Sequence, residues 1–223
     1  MTMNSTGFYL ILLPSLLAGK LMAQVPVDKE PFHKVVLENE YFRLIDGRVP
    51  ALDTTWMHIH AANSVVVFLS KTKFGIQNAG EKPVVTEVSP GDVVYRAYGD
   101  NPVNHKVWDQ SRSLFHFWVV ELVKQHLGGD TCSALSLAHA KLQWREKLVI
   151  AYQLEIDKGE PIYLPKSNCA YLLINISGVT SVALKNSKRS LQSDDFLFVP
   201  PQSEIEIYTG HKETAECVLL ELK

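Results

Sequence analysis

A chain of 223 residues can bury one sizeable core or two small ones. Its 46% hydrophobic and 21% charged residues are ordinary for a globular protein. A formal charge of −2 with both signs mixed excludes the basic stripe that a nucleic-acid binder needs to displace phosphate counterions.

Near the start of the chain lies the apolar run "GFYLILLPSLLAG", after which "KLMAQVPVDKE" turns polar. About ten apolar residues are too few to span a bilayer but suit the core of a signal peptide. Residues 1–23 are therefore expected to be a signal peptide, with cleavage after Ala23 and export to a bacterial periplasm or the medium. No stable membrane span is expected once it is removed. A buried N-terminal helix is the alternative, because no Lys or Arg precedes the run and Lys20 sits near the cleavage point.

From residue 24 onward nearly every periodic segment reads as a strand. "FRLIDGRV", "SVVVFLS", "PVVTEV", "DVVYRAY", "HKVWD" and "LFHFWVVEL" are short, rich in Val and aromatics, and punctuated by Gly, Pro, Asp, Asn and Ser. Such spacing predicts an all-β sandwich or barrel. Only Cys132–Glu146, which lacks Pro and Gly, tolerates a helix, and its assignment stays open.

The second half echoes the first. "FRLIDG" at Phe42–Gly47 pairs with "YQLEIDKG" at Tyr152–Gly159, and "SVVVFLS" with "AYLLINIS" at Ala170–Ser177. "SPGDVVYRA" pairs with "QSDDFLFVP", and "HFWVVEL" with "ECVLLEL". Two tandem barrels follow, over 24–127 and 138–223, joined by a linker at 128–137 in the Gly128-Gly129 stretch. With that alignment the second half is three residues shorter across the segment that holds His58 and His60, and it offers Ile205 or Glu206 opposite His105. Three cysteines cannot build a disulfide framework. One bridge at most can form, and Cys169 with Cys217 is the pair to test against three free thiols.

Alternate strand residues share a face, so His58 and His60 in "WMHIHAANSVVVFLS" project together. His105 follows the turn Pro90-Gly91-Asp92 and one more strand, far enough along the chain for the sheet to return to the same place. Three imidazoles gathered this way would suit a divalent metal and leave coordination positions open. Trp56 shares the face of His58 and could wall the cavity or pack in the core. Asp109 shares the parity of His105 and could orient its ring or serve a turn. Arg43 and Tyr95 lie on strands that would line the barrel. His116 is a lumen residue or a satisfied core histidine, and His33, His126, His139 and His211 read as surface residues. No Ser-His-Asp order, paired carboxylates or phosphate loop appears.

These residues resemble the cupin superfamily, whose motifs are G-x5-H-x-H-x3,4-E-x6-G and G-x5-P-x-G-x2-H-x3-N. His58 and His60 stand at the first motif's H-x-H, His105 at the second motif's histidine, and Asp109 where its asparagine is expected. The resemblance covers Val25 to Lys223 and implies two jelly-roll-like barrels packed together, a bicupin that keeps ligands only in its first unit. The motif's glutamate would fall at Ser64 or Val65, so the likeness is to three-histidine cupins, which include thiol and diketone-cleaving dioxygenases. It implies a divalent transition metal, Fe(II) favoured with Mn, Ni, Zn and Cu as alternatives. The implied activity is a mononuclear non-haem iron dioxygenase of a small chelating acid, phenol or thiol. A non-catalytic ligand-binding module, or a zinc or nickel isomerase or hydrolase, would use the same residues. The expected partner is a small molecule, and the expected state a monomer or homodimer, because the second unit could supply the interface of a cupin dimer within one chain.

Overall fold

The computed structural model describes residues 25–122, 135–137, 139–185, 187–210 and 214–223. The proposed signal peptide, most of the proposed linker, His126, Cys132 and His211 lie outside them. All regular structure among the described residues is strand, apart from one 3-10 turn at Val27–Lys29. None of the described helices is long and apolar enough to cross a membrane.

The first half supplies β1 (Val25–Pro26), β2 (His33–Glu38), β3 (Phe42–Val49), β4 (His58–His60) and β5 (Ser64–Phe68). It continues with β6 (Thr72–Asn78), β7 (Val84–Val88), β8 (Val93–Arg96), β9 (Val103–Asp109) and β10 (Phe115–Leu122). These strands form two five-stranded sheets, ordered β1-β4-β9-β6-β7 and β2-β3-β10-β5-β8. The second half supplies β11 (Ala140–Arg145), β12 (Val149–Ile156), β13 (Ile162–Leu164), β14 (Ala170–Ser177) and β15 (Thr180–Leu184). Then come β16 (Ser187–Leu191), β17 (Phe196–Val199), β18 (Ile205–Thr209) and β19 (Ala215–Leu222). Their sheets run β11-β12-β19-β14-β17 and β13-β18-β15-β16. The helix-tolerant window thus contains the strand β11; the mixed polar surface of "KLQWR" suits an edge strand with one covered face.

β10 is buried at every position because both its faces are covered. Phe115, Phe117 and Val119 point into the first barrel with Ile45, Phe68 and Phe74. Trp118, Val120 and Leu122 point the other way, where Phe42, Leu44, Val65 and Val67 meet Val149, Ala151, Leu172, Ile174, Val218 and Leu220 of the second half. The two halves therefore pack sheet on sheet through one continuous apolar layer. A third cluster fills the second barrel with Ile150, Tyr152, Leu154, Leu173, Ile207 and Leu219.

The strand registers correct the repeat alignment. Phe42 pairs with Leu122 as Val149 pairs with Leu222, so "FRLIDG" corresponds to "VIAYQL" rather than to "YQLEIDKG". In this register the segments holding β4 and β13 have equal length, and the apparent shortfall disappears. The turns repeat as well. Asp92 accepts a hydrogen bond from the Ser89 amide and Asp195 from the Gln192 amide, both at 2.8 Å. Gly91 takes the left-handed φ of 86° that this turn requires, and Asp194 takes 72° at the matching place.

Cys169 is disulfide-bonded, whereas Cys217 is a free thiol sealed in the second core. The Cys169–Cys217 pairing is therefore excluded, and so are three free thiols.

Candidate metal centre

β4 pairs antiparallel with β9, and the register sets His58 directly opposite His105. Facing pairs on one side of such a ladder lie about 5 Å apart. Accordingly, the His58 ring stands 4.8 Å from His105 and 5.0 Å from His60, and His60 stands 4.9 Å from His105. All three are buried, at 0%, 4% and 6% exposure.

A fourth imidazole joins them. His33, expected on the surface, is 5% exposed because β2 closes the barrel with this residue turned inward, its ring 4.8 Å from that of His58. The donor atoms of His33, His58 and His60 all lie within 4.8 Å of one another.

The rings are held from behind. His58 Nδ1 donates to the Trp56 carbonyl at 2.8 Å. A carbonyl only accepts, so the Nε2 of His58 keeps its lone pair. His33 Nδ1 donates to Glu30, whose buried carboxylate also accepts from the amides of Phe32 at 2.8 Å and Trp56 at 3.1 Å. Burial works to raise the pKa of Glu30, but His33 and these amides outweigh it and hold the group below its ordinary value. His60 Nδ1 faces Glu121 Oε1 at 3.8 Å, and Arg43 Nε donates to Glu121 Oε2 at 2.8 Å. Burial again raises the Glu121 pKa, and again the neighbours, His60 and Arg43, more than reverse it. His60 Nδ1 and His105 Nδ1 are buried without a hydrogen-bond partner.

Desolvation, reinforced by neighbouring histidines, pushes His58 down to about 3 and His105 down to about 2, and lowers His60 as well. These three are neutral near pH 7, the form that ligates metal.

The cluster lines a small, partly open cavity. The remaining wall is chiefly apolar, with Phe68, Phe74, Phe115 and Phe117 prominent. Three polar residues that sequence reasoning missed complete it: Ser64, Arg96 and Tyr98, the last with its ring 5.6 Å from His60. Ser64 stands where the motif places a glutamate, and its hydroxyl donates to the Ala62 carbonyl at 2.8 Å.

Other expected site residues lie elsewhere. The Trp56 side chain is 58% exposed and does not wall the cavity; only its backbone serves the site. Tyr95 pairs with Val65, which places it on the outer face against Trp144. Asp109 has the parity of His105 but lies four residues along, about 13 Å away at strand rise. There it accepts from Thr72 Oγ1 at 2.6 Å and Ser111 Oγ at 2.8 Å, pinning loops. Arg43 points inward, yet Glu121 holds its guanidinium behind His60 rather than over the cavity. His116 is a core histidine on the outer face, between Asp46 at 2.9 Å and Asp194 of the second half at 3.2 Å.

The second barrel shows what the same scaffold does without the site. Its β13–β18 ladder pairs Ile162 with Ile207 and Leu164 with Ile205, and carries no histidine, whereas the β4–β9 ladder of the first pairs His58 with His105. Ala140, opposite Leu154, takes the place of His33, opposite Gly47.

No protein-family model matches the sequence, and no curated protein matches it. Solved structures do. A cupin 2 conserved barrel domain protein from Leptotrichia buccalis superposes with a TM-score of 0.58 at 11% identity, covering 86% of this chain and 88% of its own. The oxalate decarboxylase of Lactobacillus farciminis gives 0.58 at 12% identity, with 83% and 78% covered. The salicylate 1,2-dioxygenase of Pseudoaminobacter salicylatoxidans gives 0.61 at 9% identity, with 82% and 71% covered. The chain has the cupin fold. It carries that fold twice in tandem, with a histidine cluster inside the first barrel.

Proposed function

We propose that the first barrel binds one divalent transition-metal ion through His58, His60 and His105 and acts on a small chelating acid, phenol or thiol, as a mononuclear non-haem iron dioxygenase. The observation that carries this reading is the approach of His58 Nε2 to His60 Nε2, at 3.2 Å inside a buried pocket. With the His58 proton on Nδ1, its Nε2 lone pair points at His60. If His60 donates from Nε2, its own Nδ1 lone pair then faces the Glu121 carboxylate. If it keeps its proton on Nδ1, two lone pairs face each other. A shared cation relieves both arrangements. Two nitrogens each ~2.0–2.1 Å from one ion sit ~3.0–3.3 Å apart at ordinary bond angles, which is the separation found.

A bound ion would polarise a chelating oxygen or sulfur and favour its deprotonated form. The chain's own groups do the rest. Glu121, held by Arg43, places its carboxylate behind the His60 ring, and the Trp56 carbonyl fixes His58. The phenylalanine wall excludes water and suits a flat apolar body. Arg96 and Tyr98 offer a cation and a hydroxyl to an anionic substrate group. The likeness in fold to a salicylate dioxygenase and an oxalate decarboxylase supports a metal-dependent reading.

The test is metal analysis of chelator-free protein, followed by oxygen-uptake screening of catechols, hydroxy acids, diketones and thiols. One iron per chain and uptake abolished by His58→Ala are expected. Less than about a tenth of an equivalent of any transition metal, with none gained on adding iron, would refute it. Metal bound without turnover of any such substrate would favour a binding module. We also propose that the protein works outside the reducing cytosol, because Cys169 is disulfide-bonded. Sequencing the N-terminus of the mature protein tests this: a start at Gln24 is expected, and retention of residues 1–23 on cytosolic protein would refute it.

A further inference from the structure

Resting on the metal reading, we infer that His33 is a fourth nitrogen ligand to the same ion, oriented by the buried carboxylate of Glu30. It lies outside both histidine motifs. Four observations converge on it. Its donor atom falls within 4.8 Å of those of His58 and His60. Its Nδ1 is engaged by Glu30, which leaves Nε2 as the nitrogen available to bind, the arrangement that carboxylates impose on metal-ligating histidines.

Thirdly, the support of His33 and that of His58 are one structure. The Trp56 amide donates to Glu30 at 3.1 Å, while the Trp56 carbonyl accepts from His58 at 2.8 Å. One residue's backbone thus sets both rings, a coupling that a solitary buried histidine would not need. Lastly, the position expected to supply a carboxylate ligand is Ser64, whose hydroxyl is spent on the Ala62 carbonyl. The barrel therefore replaces an anionic oxygen by a neutral nitrogen from a different strand. In the second half Ala140 takes the place of His33, and the β13–β18 ladder presents Ile162, Leu164 and Ile207 with no histidine.

This changes what the site selects. With four neutral imidazoles the ion keeps its full +2 charge. Imidazole donors suit iron, nickel, copper and zinc better than manganese and magnesium, which prefer carboxylate and water.

Cobalt(II), added to the stripped full-length chain, tests the assignment. Affinity is read by competition with a chromophoric chelator, and the number of bound imidazoles by X-ray absorption. The expected result is one cobalt on four imidazoles in the wild type. His33→Ala should lose one imidazole and bind at least tenfold more weakly, and Glu30→Gln should keep four and weaken binding ~10–100-fold. Equal count and affinity in wild type and His33→Ala would overturn the inference while leaving the metal site standing. Failure of the wild type to bind cobalt would overturn both. If His33→Ala does not fold, His33→Gln replaces it, and a wild-type count of three that His33→Gln leaves unchanged overturns the inference.

Discussion

Replacing His105 by isoleucine should stabilise the metal-free protein. The corresponding ladder of the second barrel already uses this residue type, with Ile207 across from Ile162. The imidazole is 6% exposed and its Nδ1 has no hydrogen-bond partner. A buried polar atom without a partner costs ~1–3 kcal/mol, and a β-branched aliphatic of similar size in a strand removes that cost. Acid adds a second contribution with a definite sign. His105 titrates near 6.5 when unfolded and is pushed down to about 2 when folded, chiefly by desolvation. Between those values the unfolded chain binds the extra proton, so wild-type stability is full above about 6.5 and falls as the pH drops below it. One such group costs the wild type about 2 kcal/mol at pH 5, at ~1.4 kcal/mol per pH unit below 6.5. The advantage of His105→Ile should therefore be ~1–3 kcal/mol at pH 7.5 and ~3–5 kcal/mol at pH 5. Urea denaturation of chelator-stripped proteins at both pH values measures it. A variant less stable than the wild type at pH 7.5, with no widening at pH 5, would refute the reasoning.

Gly47→Ala should cost ~1–3 kcal/mol or more, because a Cβ there would lie 2.2 Å from the Phe117 ring that packs on His33; an unchanged denaturation midpoint would contradict the packing. Trp118→Phe removes the hydrogen bond from Nε1 to the Asp194 carbonyl, 3.1 Å across the two halves, and should cost ~1–2 kcal/mol in the same assay. The Cys217 thiol, pushed up to about 12 by burial, should resist a disulfide reagent in the native protein and react in denaturant. Prompt native-state labelling of Cys217, located by peptide mapping, would disprove that burial.

The sequence makes some of this legible and hides the rest for definite reasons. H-x-H on a strand fixes a shared face without any tertiary knowledge, and the turn before His105 reports where the chain comes back. His33 offers no such pattern. Its only signal is Glu30 three residues earlier across a Pro-containing turn, in "EPFH", and that pair means something only once both are known to be buried. Trp56, Tyr95 and Asp109 fail for a common cause. Parity along a strand tells which residues share a face, but not which face is inside or how far along it the site lies. The β5–β8 ladder puts Tyr95 outside and Arg96 inside, a one-residue difference that no periodicity can settle. The repeat misled in the same way, since the likeness of "FRLIDG" to "YQLEIDKG" is three residues out of the register set by hydrogen bonding.

The two halves divide opposing demands. A barrel that keeps four imidazoles and a cavity inside gives up apolar contacts that its interior could have made, and it buries polar atoms at a cost. The second barrel fills its interior with Ile, Leu and Val side chains and two tyrosines, Tyr152 and Tyr171, and its core holds no histidine. Its sheet then covers Phe42, Val65, Val67, Trp118 and Val120, the outer face of the strands whose inner face lines the site. That contact is what a rigid site needs. β3, β5 and β10 carry Arg43, Ser64 and Glu121 inward at one level of the sheet, so clamping their outer side chains holds the groups behind His60 in register. The absence of histidines from the second core thus goes with a structural role for it: the filled barrel is the support against which the hollow one keeps its geometry.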